Sequence, residues 1–130
     1  MAKEVITIPT RPKTPYSPGI RAGNFIYVSG QAGLMDKQGK ELKDFESQAR
    51  QCFENMKEVL EKAGSSLSEI VKVTIFLTEA KQFDKMNEIF LSYFSKDLPA
   101  RTTVVTTLVR PNMLIEVECI AYNEKHLRYL

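Results

Sequence analysis

Met113-Leu114-Ile115-Glu116-Val117-Glu118-Cys119-Ile120-Ala121-Tyr122 alternates with the period of a β-strand. Ile115, Val117, Cys119 and Ala121 point one way; Leu114, Glu116, Glu118, Ile120 and Tyr122 point the other. If helices cover the first face, the second carries two carboxylates among apolar neighbours, which suits a partly polar contact with another subunit better than open water. Working back, the Arg110-Pro111-Asn112 turn joins this strand to one predicted at residues 102–109. Phe83, Met86, Phe90, Tyr93 and Phe94 lie along one side of a helix that Pro99 prevents from passing Leu98. Residues 70–78 (IVKVTIFLT) are rich in β-branched side chains and predict a buried strand with Val71, Val73, Ile75 and Leu77 on one face.

The clearest helix lies before that strand. Ala49, Cys52, Phe53, Met56, Val59, Leu60 and Ala63 recur at three and four, opposite Arg50, Glu54, Lys57, Glu58, Glu61 and Lys62, and Gly64 closes it. Residues 24–29 (NFIYVS) and 4–8 predict two further strands. Pro9, Pro12, Pro15 and Pro18 make the segment between them an extended arm. Gly33, Asp36, Lys37, Gly39 and Lys40 mark residues 30–45 as a loop with room for one short strand. The order β, β, α, β, α, β, β predicts an α+β fold, a sheet with two helices packed mainly on one face.

The 130 residues amount to a single domain, 1–130, and 43% hydrophobic with 26% charged residues is a globular balance. A formal charge of +2, evenly spread, advertises no nucleic-acid partner. No apolar run reaches membrane-span length and the first ten residues lack a signal-peptide centre, so a cytoplasmic location is expected and no membrane partner. Cys52 and Cys119 fall in apolar rows without CxxC spacing, and His126 is the one histidine, so neither a metal site nor a disulfide framework can be read. GxSxG is absent. Any chemistry must proceed without a Cys/His metal centre or a catalytic imidazole.

Several residues stand out. Glu116 and Glu118 share a face with apolar neighbours, although an arbitrary glutamate pair is usually just solvated. Arg101 follows Pro99-Ala100, where a rigid turn can aim a guanidinium whose fork matches a planar carboxylate. Asn87 falls on the apolar side of its helix and needs partners if buried; a staple to a nearby loop is the simplest role. Ser29-Gly30-Gln31 ends a strand where a pocket can form. Lys72 interrupts a buried strand and either snorkels or pairs with Glu118.

Read in order and at these spacings, Ser29-Gly30-Gln31, Gln48-Ala49-Arg50-Gln51, Pro99-Ala100-Arg101-Thr102 and Ile115-Glu116-Val117-Glu118 resemble the RidA (YjgF) family over about residues 16–122. The resemblance implies a chorismate-mutase-like α+β protomer, a homotrimer with sites between subunits, and no cofactor. It further implies hydrolysis of reactive enamines and imines, such as 2-aminoacrylate and 2-iminopropionate, to 2-oxo acids and ammonia. On the same basis Arg101 is the carboxylate-binding and Glu116 the water-positioning residue; Tyr16 and Ser29 line the cleft, and Asn87 lies close to it. Thr103 stands where many members have cysteine, so a hydroxyl replaces a thiol in the pocket and no thiol redox switch is carried over. Thr14 stands where many have glycine, which bears on the Tyr16 loop. The competing readings are a non-catalytic sensor of 2-oxo acids, an RNA-directed role as ribonuclease or translation inhibitor, and, by fold analogy alone, a chorismate mutase.

Overall fold

The computed structural model describes residues 2–124, so His126 lies outside the described residues. The elements are β1 (Glu4–Ile6), β2 (Gly19–Ala22), β3 (Phe25–Ala32), α1 (Phe45–Lys62), β4 (Ile70–Leu77), α2 (Phe83–Tyr93), β5 (Ala100–Val105) and β6 (Ile115–Tyr122). One mixed sheet holds the strands in the order β1-β2-β3-β6-β4-β5. Only β4 and β5 run parallel, because α2 carries the chain back between them. Both helices contribute to one core over one sheet face, where Phe53, Met56, Ile89 and Phe90 meet Val73, Ile75, Ile115 and Val117. The expected α+β architecture with two helices on one face is therefore present.

Local chemistry explains the element that dominates this core. Asp44 caps α1 by accepting from the Ser47 amide at 2.9 Å, and Gly64 leaves the helix at φ 81°. The α1 stripe of Ala49, Cys52, Phe53, Met56, Val59 and Leu60 is fully buried, and each of its larger side chains contributes about 1.5–3 kcal/mol of burial. Gln48, in the same stripe, uses its whole amide: Nε2 donates to the Leu42 and Asn112 carbonyls, and Oε1 accepts from the Leu114 amide. The turn that leads into β6 is thereby tied to the helix.

Several expectations are corrected. A strand at Gly19–Ala22 interrupts the arm, so three strands precede α1 rather than two; its four residues are a strand because β1 and β3 pair with them on either side. The first strand stops at Ile6 rather than residue 8. β3 runs on to Ala32 across a register shift between Val28 and Gln31. α1 begins at Phe45, a turn earlier than its apolar stripe suggests. β5 spans Ala100–Val105 instead of residues 102–109 and lies at the sheet edge beside β4, not next to β6. An irregularity between Ile70 and Lys72 turns Val71 outward, leaving Ile70 buried in its stead. Lys72 donates to the Thr102 hydroxyl at 2.7 Å, not to Glu118.

The face away from the helices keeps large apolar side chains partly open, Phe25 at 41%, Tyr27 at 46% and Val104 at 38% exposure, interleaved with Glu118. It carries the mixed character inferred from β6.

Arg21 is the largest fully buried side chain. Nη2 donates to the Ala63 carbonyl at the end of α1 (2.8 Å) and to Asn123 Oδ1 (2.9 Å), and Nη1 donates to the Asn123 carbonyl (3.3 Å). Asn123 in turn donates to Glu69, as does Ser65. The network joins β2, the end of α1, the turn before β4 and the end of β6. Arg21→Met keeps the bulk but strands the Ala63 carbonyl and Asn123, and is expected to lose about 3 kcal/mol, a fall of roughly 10 °C in Tm. Thermal melts check this; an unchanged Tm rejects a structural role for the network.

Candidate functional site

Two groups of candidate residues form, on different parts of the chain. The first surrounds Arg101, which lies within β5 rather than in a turn before it. Its register partner on β4 is Val73, a fully buried residue of the helix face, so the arginine leaves the sheet edge toward α2. There Nη2 donates to Asn87 Oδ1 at 2.7 Å, and the guanidinium carbon stands 4.8 Å from the Phe90 ring centre and 5.8 Å from that of Phe83. Asn87 is thus a staple to Arg101, not to a loop. Burial lowers the pKa of Arg101 from its ordinary value, yet an arginine so far above neutrality stays cationic. Thr103, paired with Ile75, shares this face, and its buried hydroxyl has no hydrogen-bond partner among the described residues.

The second group lies where β3 and β6 run under the proline arm. A cleft of about 330 Å³ is lined there by Tyr16, Gly30, Met113 and Glu116, with Arg11 and Arg110 at its walls. Tyr16 is 61% exposed at its rim. Thr14 donates to the Tyr16 carbonyl at 2.7 Å, so the residue that replaces glycine shapes the loop with its own hydroxyl. Ser29 turns its hydroxyl to the Ser17 carbonyl (2.6 Å) and its amide to the Pro18 carbonyl, pinning the arm beside the cleft. Arg11 completes the attachment, donating to Gln31 Oε1 and Glu58 Oε1 at 2.8 Å each and to the Asn55 carbonyl at 3.2 Å. Ser29-Gly30-Gln31 stands at the pocket edge that the sequence suggested, whereas Arg11 and Arg110 at its walls were not expected there. A lone arginine between prolines was the one available signal, since a rigid arm needs an anchor.

Glu116 faces away from the helices, pairing with Ala32 on β3 and Phe76 on β4. Desolvation raises its pKa, and neighbouring Glu118 raises it further. A raised carboxylate pKa means that the folded chain keeps a proton the unfolded chain has lost, so stability falls as pH climbs from the ordinary carboxylate value through the raised one. Glu116→Gln is therefore expected to melt like the parent below about pH 4 and above it at neutral pH, the gap opening between. Melting curves across that range test it; a gap independent of pH refutes the burial penalty.

Within one chain the two groups cannot meet. Glu116 aligns through Phe76 with Val104, whereas Arg101 lies three residues back along β5 and on the other sheet face. The separation is about 10 Å across the sheet and about 10 Å along it. Arg101, Asn87 and Thr103 form one group; Tyr16, Glu116 and the Ser29-Gly30 bulge form the other.

The family model described as endoribonuclease L-PSP matches residues 8–123. A RutC family protein of Pyrococcus horikoshii is 44% identical over 125 residues, covering 94% of this chain and 99% of the relative. A protein of Dermatophagoides farinae named 2-iminobutanoate/2-iminopropanoate deaminase is 34% identical over 125 residues, covering 94% and 98%. The crystal structure of Escherichia coli TdcF with bound serine superposes with a TM-score of 0.84 at 29% identity, covering 92% and 98%.

Proposed function

Since the chain belongs to the endoribonuclease L-PSP (Rid) family, we propose that it is a cofactor-independent deaminase of small 2-imino acids, working in clefts between copies of a homotrimer. The observation that carries this reading is the pair of half-sites on opposite sheet faces. One offers a prealigned cation and the other a partly desolvated carboxylate, and a head-to-tail ring of identical chains supplies both to every cleft. The half-open apolar face built on Phe25, Tyr27 and Val104 suits the interior of such a ring. A relative named 2-iminobutanoate/2-iminopropanoate deaminase and a solved relative holding serine support a small amino-acid-derived ligand.

The chemistry asks little of the protein, because imines already hydrolyse in water. An enamine such as 2-aminoacrylate first takes a proton on carbon to become the imine. Arg101 holds the substrate carboxylate through a two-pronged hydrogen bond, with Asn87 fixing one edge of the guanidinium. Glu116 takes a proton from water as its oxygen bonds to the C=N carbon and passes that proton to nitrogen. The hydroxyl of the resulting carbinolamine then gives up its proton, which the same carboxylate relays to nitrogen, and the C–N bond breaks as C=O forms, releasing ammonia and a 2-oxo acid. A carboxylate pKa lifted toward neutrality suits this shuttle. Tyr16 closes over the ligand, the Thr103 hydroxyl has bonding capacity to spare on the arginine side, and Ser29 keeps the arm in place.

The test generates 2-aminoacrylate from serine with a pyridoxal-phosphate dehydratase and follows ammonia and pyruvate with and without the protein. Acceleration is expected, from a particle of three times 14.8 kDa. Mixing Arg101→Ala and Glu116→Gln chains, refolded together, should restore about a quarter of the parental activity, since one cleft in four then pairs an intact arginine with an intact glutamate. No acceleration, or no recovery on mixing, defeats the reading. Saturable pyruvate binding without turnover would favour a sensor, and RNA cleavage lost in Arg101→Ala a ribonuclease.

A further inference from the structure

Glycine is required at two places beside the cleft for different reasons. A Cβ added at Gly33 would run into the backbone of α1, overlapping the Gln48 carbonyl oxygen and lying 2.9 Å from its carbon and 3.0 Å from its Cα. Helix backbone cannot yield, so this glycine serves packing. A Cβ added at Gly30 would overlap Glu116 Oε2 and lie 2.9 Å from Cδ and 3.3 Å from Cγ. Here the obstacle is the far end of a flexible side chain. Gly30 also needs no special backbone: positive φ occurs at Gly23, Gly39 and Gly64 but not at Gly30. Conformation would accept alanine at this position, and the side chain of Glu116 is what excludes it.

We propose that Gly30 is a positioning residue for the reaction, the hydrogen on its Cα leaving a seat in the β3 bulge that the Glu116 carboxylate fills. The inference rests on the role given to Glu116 above. Glu116 is the first exposed-face residue of β6, and the register shift between Val28 and Gln31 falls across this point, so the bulge brings a backbone without side chain under the carboxylate. The charged groups around the seat are Glu118 on the same strand, Arg11 on the arm and Arg110 in the turn before β6. Arg11 is engaged by Glu58, Gln31 and the Asn55 carbonyl, so no salt bridge holds Glu116 in place among the described residues. Shape at Gly30 takes over that task. A carboxylate seated by shape keeps its lone pairs free for water, as a proton shuttle requires.

Gly30→Ala moves the carboxylate by an ångström or more without touching Arg101. In the imine assay kcat is expected to fall about a hundredfold, with KM within about threefold of the parent. The acid limb of the kcat profile should move to lower pH as the displaced carboxylate gains water. Gly30→Ala with Glu116→Gln should be no slower than Glu116→Gln alone. Unchanged kcat and profile, or a double variant slowed by the product of the two single factors, would overturn the proposal. If Gly30→Ala melts low, the loss must vanish when Glu116→Ala empties the seat, and a loss that persists overturns it too. The same four melting curves decide the matter even if the parent hydrolyses no imine: a non-additive shift supports the seat while the function above fails, and an additive one removes both.

Discussion

Arg101→Ala is expected to lose about a thousandfold in kcat/KM on 2-iminopropionate while keeping its fold. Two charge-assisted hydrogen bonds to the substrate carboxylate are removed at about 1.5–3 kcal/mol each, and 4 kcal/mol corresponds to roughly a thousandfold. The guanidinium is held before substrate arrives, by Asn87 at 2.7 Å and by the faces of Phe83 and Phe90, so little of that energy is spent on ordering it. Losing the ring contacts should lower stability by only about 1 kcal/mol, which separates a functional from a folding defect. Arg101→Lys keeps charge but not the fork and should fall between, at roughly a tenth to a hundredth of the parent. Initial rates at several imine concentrations, with pyruvate titrations of the same variants, check the assignment. An alanine variant that retains full kcat/KM removes the anchor and with it the proposed mechanism.

Glu116→Gln should lose about a thousandfold in kcat, within the hundred- to ten-thousandfold typical of a removed acid–base group. Pyruvate binding should persist, because in the proposed ring the anchor for each cleft comes from the neighbouring chain. That split separates a deaminase from a sensor, which has no kcat to lose. The amide is nearly isosteric, so packing over Gly30 is preserved and the deficit belongs to the proton chemistry. Loss of binding together with kcat would instead make Glu116 part of the ligand pocket's framework.

The parts of the fold legible in the sequence are those in which burial leaves a local trace. The α1 stripe, the alternation of β6 and the apolar run of β4 each follow a period that a single element imposes, and the structure buries those residues accordingly, Val71 excepted. β2 left no such trace: Gly19, Ile20, Arg21 and Ala22 include a buried arginine and a glycine, and their extended form comes from two neighbouring strands. Val71 failed the alternation rule because one irregularity shifts a face, which no window of β4 reveals. Gly30 read as a pocket-lining glycine, whereas the side chain that fills its missing Cβ lies 86 positions later.

The site divides in the same way. Arg101, Glu116 and Ser29 stand in the sequence motifs, and Tyr16, Asn87 and Thr103 followed from the resemblance those motifs carry, because a motif preserves residue type and spacing. Their grouping did not follow. Strand order puts β4 between Glu116 on β6 and the edge strand that carries Arg101, and the register sends the two side chains to opposite faces. Sequence alone determined the two helices and the strands with a local apolar period, together with which residues carry charge, since those depend on neighbours a few positions away. Only the tertiary structure decided that one chain holds these residues in two separate groups on opposite sheet faces, since hydrogen-bonded pairing between distant segments sets both strand order and side-chain direction.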